Sequence, residues 1–208
     1  MKLNKKELLE INKKFYEDFG GSFSSKRFFP WESFYKLKEY IKECDSVLDI
    51  GAGNGRFAEF VASSQYTGID FSSTLTSLAK EKYPEHTFLN LDITEVDWNL
   101  NLGKFNKIFL IAVLHHIPDY KIRLKLFKDI KKILDKNGLF IFSIWDFNIK
   151  SISTRISPSD YLLSWDKNID LRYVHRFEEQ EISQLIHDSK FKLKDSFILE
   201  KNTYFILS

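Results

Sequence analysis

The stretch VLDIGAGNGRF (residues 47–57) decides the fold. A short apolar strand runs into a turn with glycine at 51, 53 and 55, and Phe57, Phe60 and Val61 follow at helical spacing. Glycines let the chain turn sharply and approach a ligand closely. The N-terminus of a following helix offers unpaired N–H groups. A dinucleotide-binding turn reads G-x-G-x-x-G; here the spacing is G-x-G-x-G, and Asp49 stands two residues before the first glycine. The Gly-Lys-Ser/Thr of a phosphate-binding loop is absent. An acid beside the loop suits a ligand with a cationic group better than a pyrophosphate.

Outward from this turn, strands and helices alternate. YTGID (66–70) and HTFLNLD (86–92) read as the second and third strands, separated by FSSTLTSLAKEKYP, a helix with serine caps. KIFLIAV (107–113) is continuously apolar, as a strand covered on both faces would be. Residues 119–137 place Leu126, Phe127, Ile130, Ile133 and Leu134 on one helical face, with Gly138 as the stop. LFIFSIW (139–145) is a fifth strand. EEQEISQLIHDSK is a last helix with acidic residues at its positive end. KLKDSFILE and TYFILS make a closing hairpin around Lys201 and Asn202. This order predicts an α/β, Rossmann-like, doubly wound fold with a mostly parallel sheet and an antiparallel last strand. The reading is one domain over 1–208, with an N-terminal helical extension (1–43) and an irregular insertion (147–176) outside the alternation. Both segments are expected on the substrate side, because ligands in such sheets sit beyond the carboxyl ends of the strands.

Composition narrows the classes. With 208 residues, 43% hydrophobic, the chain can bury a sizeable core. A net charge of +2 sets up no global basic field, although 121–136 carries seven basic and two acidic residues. The single cysteine, Cys44, excludes a disulfide framework and a thiolate metal cluster and fits a reducing, cytoplasmic setting. The longest apolar run, 108–114, is too short to span a bilayer, and the charged N-terminus lacks the apolar core of a signal peptide.

The strand ends carry the chemistry. Asp70 ends the second strand, where a carboxylate can accept hydrogen bonds from ribose hydroxyls. Asp92 ends the third and is followed by Ile93, an acceptor for an adenine amino group beside an aliphatic wall. With Asp49, three acids stand at successive strand ends. S-adenosylmethionine, with its sulfonium and ammonium groups, fits that pattern. The arrangement resembles the class I S-adenosylmethionine-dependent methyltransferases over about residues 45–208. The resemblance implies strand order 3-2-1-4-5-7-6. It also implies a cofactor held by Asp49, Gly51, Ala52, Gly53, Asp70, Phe71, Asp92, Ile93, Ile111, Ala112 and His115.

IAVLHHIPD (111–119) holds the one adjacent pair of histidines, His115 and His116. No further His, Asp or Glu stands at a ligand spacing, so no metal is expected. Substrate contact, acid–base work and orientation of the loop remain open for the pair. Adjacent strand residues face opposite ways, so one histidine is expected to support the loop and the other, His116, to face the methyl acceptor. Two further segments, SSKRFFPWESF (24–34) and LRYVHRFEEQEI (171–182), together with Trp145, resemble the tRNA wobble-uridine carboxymethyl methyltransferase family. That resemblance implies a carboxylate acceptor on tRNA and a small zinc-binding activator subunit, for which the HTFLNL edge strand is a candidate docking site. A carboxylate is ionised at neutral pH and needs no general base. Cationic groups would hold it: Arg27, Arg172, His175 and Arg176 are the candidates, with Trp31, Trp145 and Tyr173 as stacking surfaces. The alternatives are a small-molecule O- or N-methyltransferase and a non-catalytic subunit that binds the same cofactor.

Overall fold

The structure is a computed structural model that describes residues 3–25, 31–61, 65–146, 153–164 and 171–208, excepting the side chains of 19, 21–25 and 153. In chain order the elements begin with α1 (Lys5–Ser25), α2 (Glu32–Leu37), β1 (Val47–Ile50), β2 (Tyr66–Asp70) and α3 (Ser73–Lys82). Next come β3 (Thr87–Asn90), β4 (Phe105–Leu110), α4 (Tyr120–Ile133) and β5 (Leu134–Trp145). A small-sheet region follows, with β6 (Ser153–Arg155), β7 (Asp160–Ser164) and β8 (Leu171–His175). The chain closes with α5 (Glu179–Asp188), β9 (Leu193–Leu199) and β10 (Asn202–Leu207).

The main sheet has seven strands in the order β3-β2-β1-β4-β5-β10-β9. β1 to β5 run parallel, and β10 is antiparallel to both its neighbours. Counted within this sheet the order is 3-2-1-4-5-7-6, the doubly wound arrangement the alternation predicts. Side chains alternate across it with the period of two that a pleated strand imposes. Leu48, Ile50, Ile108, Leu110, Phe140 and Phe142 face α4 and α5, where Phe127, Ile130, Ile182 and Leu185 are buried. Val47, Phe109, Ile141, Tyr204 and Ile206 face the other way, onto Phe34 and Leu37 of α2 and Ala79 of α3. Covering both faces explains why β4 reads as an unbroken apolar run.

The structure departs from the sequence reading in four places. Residues 52–61 form no α-helix: backbone bonds run from Ala58 to Gly55, Phe60 to Phe57 and Val61 to Ala58, a tight 3-10 pattern over Ala58–Phe60. Phe57, Ala58, Phe60 and Val61 are all buried, so the turn still supplies the apolar face that the spacing predicts. β4 ends at Leu110 rather than at 113, because Ala112 takes a positive φ of 56° and its N–H leaves the ladder for the Ser143 hydroxyl, 2.9 Å away. α4 stops at Ile133, not at Gly138, and the chain turns directly into β5. A Cβ at Gly138 would lie 2.9 Å from the Asn106 carbonyl, so this glycine allows two strands to meet rather than capping a helix. Lastly, the segment expected to be irregular carries a three-stranded antiparallel sheet, β6-β7-β8.

Candidate active site

β1 ends in the glycine turn, and Gly51 and Ala52 both donate to the Ile69 carbonyl on β2, at 2.8 and 3.0 Å. Gly51 has φ +74°, and a Cβ there would sit 2.3 Å from Val113 Cγ2. Gly53 also has positive φ, but a Cβ added to it meets nothing within 4 Å, so its backbone borders open space. That space is a cavity open to solvent. Eight residues expected at the cofactor line it: Gly51, Ala52, Gly53, Asp70, Phe71, Ile93, Ile111 and Ala112. Asp70 accepts from Gly53 N and Ser72 N, each at 2.9 Å. Burial pushes its carboxyl up to about 6, against the pull of those backbone donors.

The other expected cofactor residues stand apart from this wall. Asp49 is buried under the glycine turn, where the Tyr66 hydroxyl donates to Oδ2 at 2.7 Å. Burial raises its carboxyl to about 7, with the Tyr66 bond and the nearby Arg56 charge opposing. Asp92 accepts from the backbone and hydroxyl of Thr94 and pairs with Lys13 of α1 at 2.8 Å. Burial raises its carboxyl, but Lys13 and Thr94 bring it below the usual range. His115 lines a second cavity, not the first.

The histidine pair lies in a 3-10 turn, Leu114–His116, beyond the end of β4. His116 therefore does not alternate with His115 as on a strand. Its Nδ1 lies 2.9 Å from the Tyr173 carbonyl, an acceptor only, so Nδ1 carries the hydrogen. Its Nε2 is 2.8 Å from the Tyr16 hydroxyl of α1. His115 is buried and held neutral, chiefly by burial and then by the neighbouring charges of His116, Arg172 and His175. The second cavity is lined by Tyr16, Trp31, Ala112, His115, His116, Trp145, Arg172 and Asn202. It shares Tyr16, Trp31, Ala112 and His116 with the first, so the two adjoin. Arg172 is buried with its guanidinium 5.4 Å from the Trp145 ring centre and 5.8 Å from that of Phe15.

Two of the expected acceptor-side residues have other occupations. The His175 ring is held at both nitrogens, 2.7 Å from Asp160 and 2.8 Å from Glu181, and lines neither cavity. Glu181 also pairs with buried Arg123 at 2.6 Å, and Arg123 donates to the Ile117 carbonyl just after the histidine pair. Tyr173 is 1% exposed, with its hydroxyl on Asp160 at 2.6 Å, so it is no stacking surface. Arg176 is exposed, and Arg27 lies outside the described residues. Sequence reasoning missed Asn12 and Tyr16. Asn12 ties α1 to Tyr173 and His116 by three hydrogen bonds of 2.7 to 3.1 Å. No local pattern marks either residue, since both act on segments more than fifty positions away.

A family model described as a methyltransferase domain matches residues 23–195. The chain belongs to that family. Among curated methyltransferases, an Encephalitozoon cuniculi protein, whose name gives the class and no substrate, is 26% identical over 203 residues, 93% of either chain. The tRNA (carboxymethyluridine(34)-5-O)-methyltransferase of Schizosaccharomyces pombe is 23% identical, over 82% of this chain and 84% of its own. That of Arabidopsis thaliana is 26% identical over 75% of this chain, which spans 40% of the Arabidopsis protein's length. Among solved structures, the DhpI–SAH complex matches with a TM-score of 0.76 at 13% identity, over 99% of this chain and 98% of that one. An S-adenosylmethionine-dependent methyltransferase from Clostridium acetobutylicum matches with a TM-score of 0.68 at 14% identity, over 92% and 98%. At such identities these two likenesses establish the methyltransferase fold alone.

Among the described residues, no group of three or more His, Cys, Asp or Glu could hold an ion. Among the same residues, no helix is long and apolar enough to cross a membrane.

Proposed function

We propose that this methyltransferase uses S-adenosylmethionine to esterify a carboxymethyl group on a tRNA wobble uridine. The observation that carries the reading is the pair of adjoining cavities, one fitted to a nucleoside and the other to an aromatic anion. In the first, Asp70 closes β2 with carboxylate lone pairs left for ribose hydroxyls, and Ile93, Leu91 and Ile69 give an apolar wall for a purine. Open space beside Gly53 admits a ligand against the backbone. These residues fit S-adenosylmethionine, which when bound supplies an electrophilic methyl group on positively charged sulfur. Asp49 lies buried beneath the turn, behind this wall.

In the second cavity, Arg172 offers a cation between Trp145 and Phe15. A guanidinium there can hold a carboxylate in a two-pronged grip while the indole supports a base. Ionised at neutral pH, the carboxylate needs alignment and exclusion of water rather than deprotonation. His116 and Tyr16 stand on the shared wall, where acceptor and donor would meet. The named tRNA methyltransferases among the relatives support this acceptor. On the outer face of α4, Lys121 and Lys128 are exposed and available for phosphate contacts. β3 closes one edge of the sheet and is the strand we assign to a small activator subunit.

A second reading rests on the Tyr16 hydroxyl and His116 Nε2, 2.8 Å apart on the shared wall. That pair could accept a proton from a hydroxyl or amine, as a small-molecule O- or N-methyltransferase requires. One experiment separates the two. Tritium-labelled methyl should pass from S-adenosylmethionine to tRNA and be released as methanol by mild alkali, as an ester is. Alkali-stable label, or label on small metabolites only, would overturn the tRNA ester reading.

A further inference from the structure

We infer that Asn202 is a specificity-determining residue that binds the imide edge of a uracil ring in the second cavity. The inference rests on the proposed tRNA reading and adds to it which edge of the base is read, and by what. Asn202 opens β10, is 7% exposed and lines the cavity with Trp145 and Arg172. In the antiparallel pairing of β5 and β10 it stands directly opposite Trp145. Opposed residues of such a pair project from the same face of the sheet about 5 Å apart. The carboxamide is thereby set beside the indole on the acceptor side.

Two buried polar atoms in this wall, Asn202 Oδ1 and His115 Nδ1, have no hydrogen-bond partner among the described residues. Buried polar groups are nearly always satisfied, and an exception calls for an explanation. A ligand edge carrying both donors and acceptors supplies one. A carboxamide offers an acceptor and two donors side by side. The imide edge of uracil offers an N–H flanked by two carbonyls, the complementary set. Trp145 gives the ring a face to stack on, Arg172 takes the anionic arm, and Asn202 meets the ring's pairing edge. The base must then be unpaired when it enters, since the edge that pairs with a codon is the edge Asn202 occupies. The mode is the usual one for single-stranded RNA, where aromatic stacking joins hydrogen bonds to the pairing edge.

The test uses two anticodon stem-loops, one with 5-carboxymethyluridine at the wobble position and one with its N3-methylated counterpart, in which the imide N–H is replaced. The wild-type protein should favour the first by about 10- to 100-fold in kcat/KM, as expected when one buried hydrogen bond is left unmade. Asn202→Ala and Asn202→Ser should lose most of that preference while binding S-adenosylhomocysteine normally in calorimetry. Equal wild-type rates on the two substrates overturn the inference without use of any variant. A preference that survives in both variants overturns it as well. No transfer by the wild type to any tRNA defeats the functional reading, and the inference falls with it.

Discussion

Replacing Asn12 by leucine tests how the N-terminal helix is fastened to the acceptor side. Asn12 is 3% exposed; its Oδ1 accepts from Tyr173 N at 2.7 Å, and its Nδ2 donates to the Tyr173 and His116 carbonyls at 3.1 and 3.0 Å. β8 pairs only with β7 in its sheet, so the backbone of Tyr173 faces outward to α1. The carboxamide does there what a neighbouring strand would do. Leucine has the same branched heavy-atom skeleton, with bulkier methyl groups, but no polar atoms. It leaves the Tyr173 N–H, in a 1% exposed residue, without its acceptor. The Tyr173 carbonyl keeps His116 Nδ1 at 2.9 Å and loses less. One stranded buried donor costs about 1–3 kcal/mol, and each further lost bond about 0.5–1.5. New apolar contact returns part of that, so the net loss should be about 2–4 kcal/mol, a large share of an ordinary domain's stability. Urea unfolding followed by circular dichroism should show the midpoint falling at constant slope. Methyl transfer should fall further than stability alone explains, because His116 loses part of its support. A stability loss under about 0.5 kcal/mol would refute the reasoning, since Tyr173 N would then have found another partner.

Three other perturbations follow from the site. Asp70→Ala should weaken S-adenosylhomocysteine binding by about 1–3 kcal/mol, and calorimetry showing unchanged affinity would break the ribose assignment. His175 lies between Asp160 and Glu181; burial lowers its pKa, but the two carboxylates outweigh this and raise it above 6.5. Its contribution is therefore complete below pH 6.5 and lost as pH rises through the raised folded value. Asp160 and Glu181 are held below 3.8 and 4.5, so their contribution is lost only as the solution turns acid. The melting temperature should fall as pH rises above 6.5, and His175→Gln should flatten that fall; an unchanged slope would clear His175 of the effect. Gly51→Ala should destabilise both by its φ of +74° and by the 2.3 Å approach to Val113, and Val113→Ala should recover only the steric part, measurable by a double-mutant cycle. Full recovery would mean the positive φ carries no cost.

The sheet was legible because its signals are local. VLDIG, YTGID and the amphipathic run of α4 each carry their own period, and alternation then predicts a doubly wound, mostly parallel sheet, whose strand order the family resemblance implies. That Gly51, Gly53 and Asp70 come together was legible for the same reason: they end adjacent parallel strands, so strand ends in the sequence become neighbours in space. Boundaries failed where tertiary bonds override pattern. Ala112 leaves β4 for a hydroxyl on β5, although nothing in KIFLIAV marks a break. Asp92 reads as a cofactor ligand from its place at a strand end. Its partner Lys13 lies on a helix seventy-nine positions earlier, and no pattern connects the two. Tyr173 and His175 read as acceptor contacts, a stacking surface and a cation, yet Asp160 and Glu181 draw them into a buried polar network.

The histidine pair shows why the donor half of the reaction reads more easily than the acceptor half. On a strand, His115 and His116 would face opposite sides of the sheet, and one of them would be lost to the site. Because β4 ends at Leu110, both lie in a tight turn, and both reach the second cavity. Of the two, His116 also reaches the first, with its hydrogen fixed on Nδ1 by the Tyr173 carbonyl. The first cavity draws most of its wall from strand ends between 51 and 113, but the second collects Tyr16, Trp31, Trp145, Arg172 and Asn202 from five separate elements or their flanks. On the proposed function, acceptor choice would depend on how these elements are docked, not on a motif. Substitutions in the glycine turn should therefore alter cofactor binding for any acceptor, whereas substitutions at the docking contacts, Asn12 foremost, should alter the choice of acceptor.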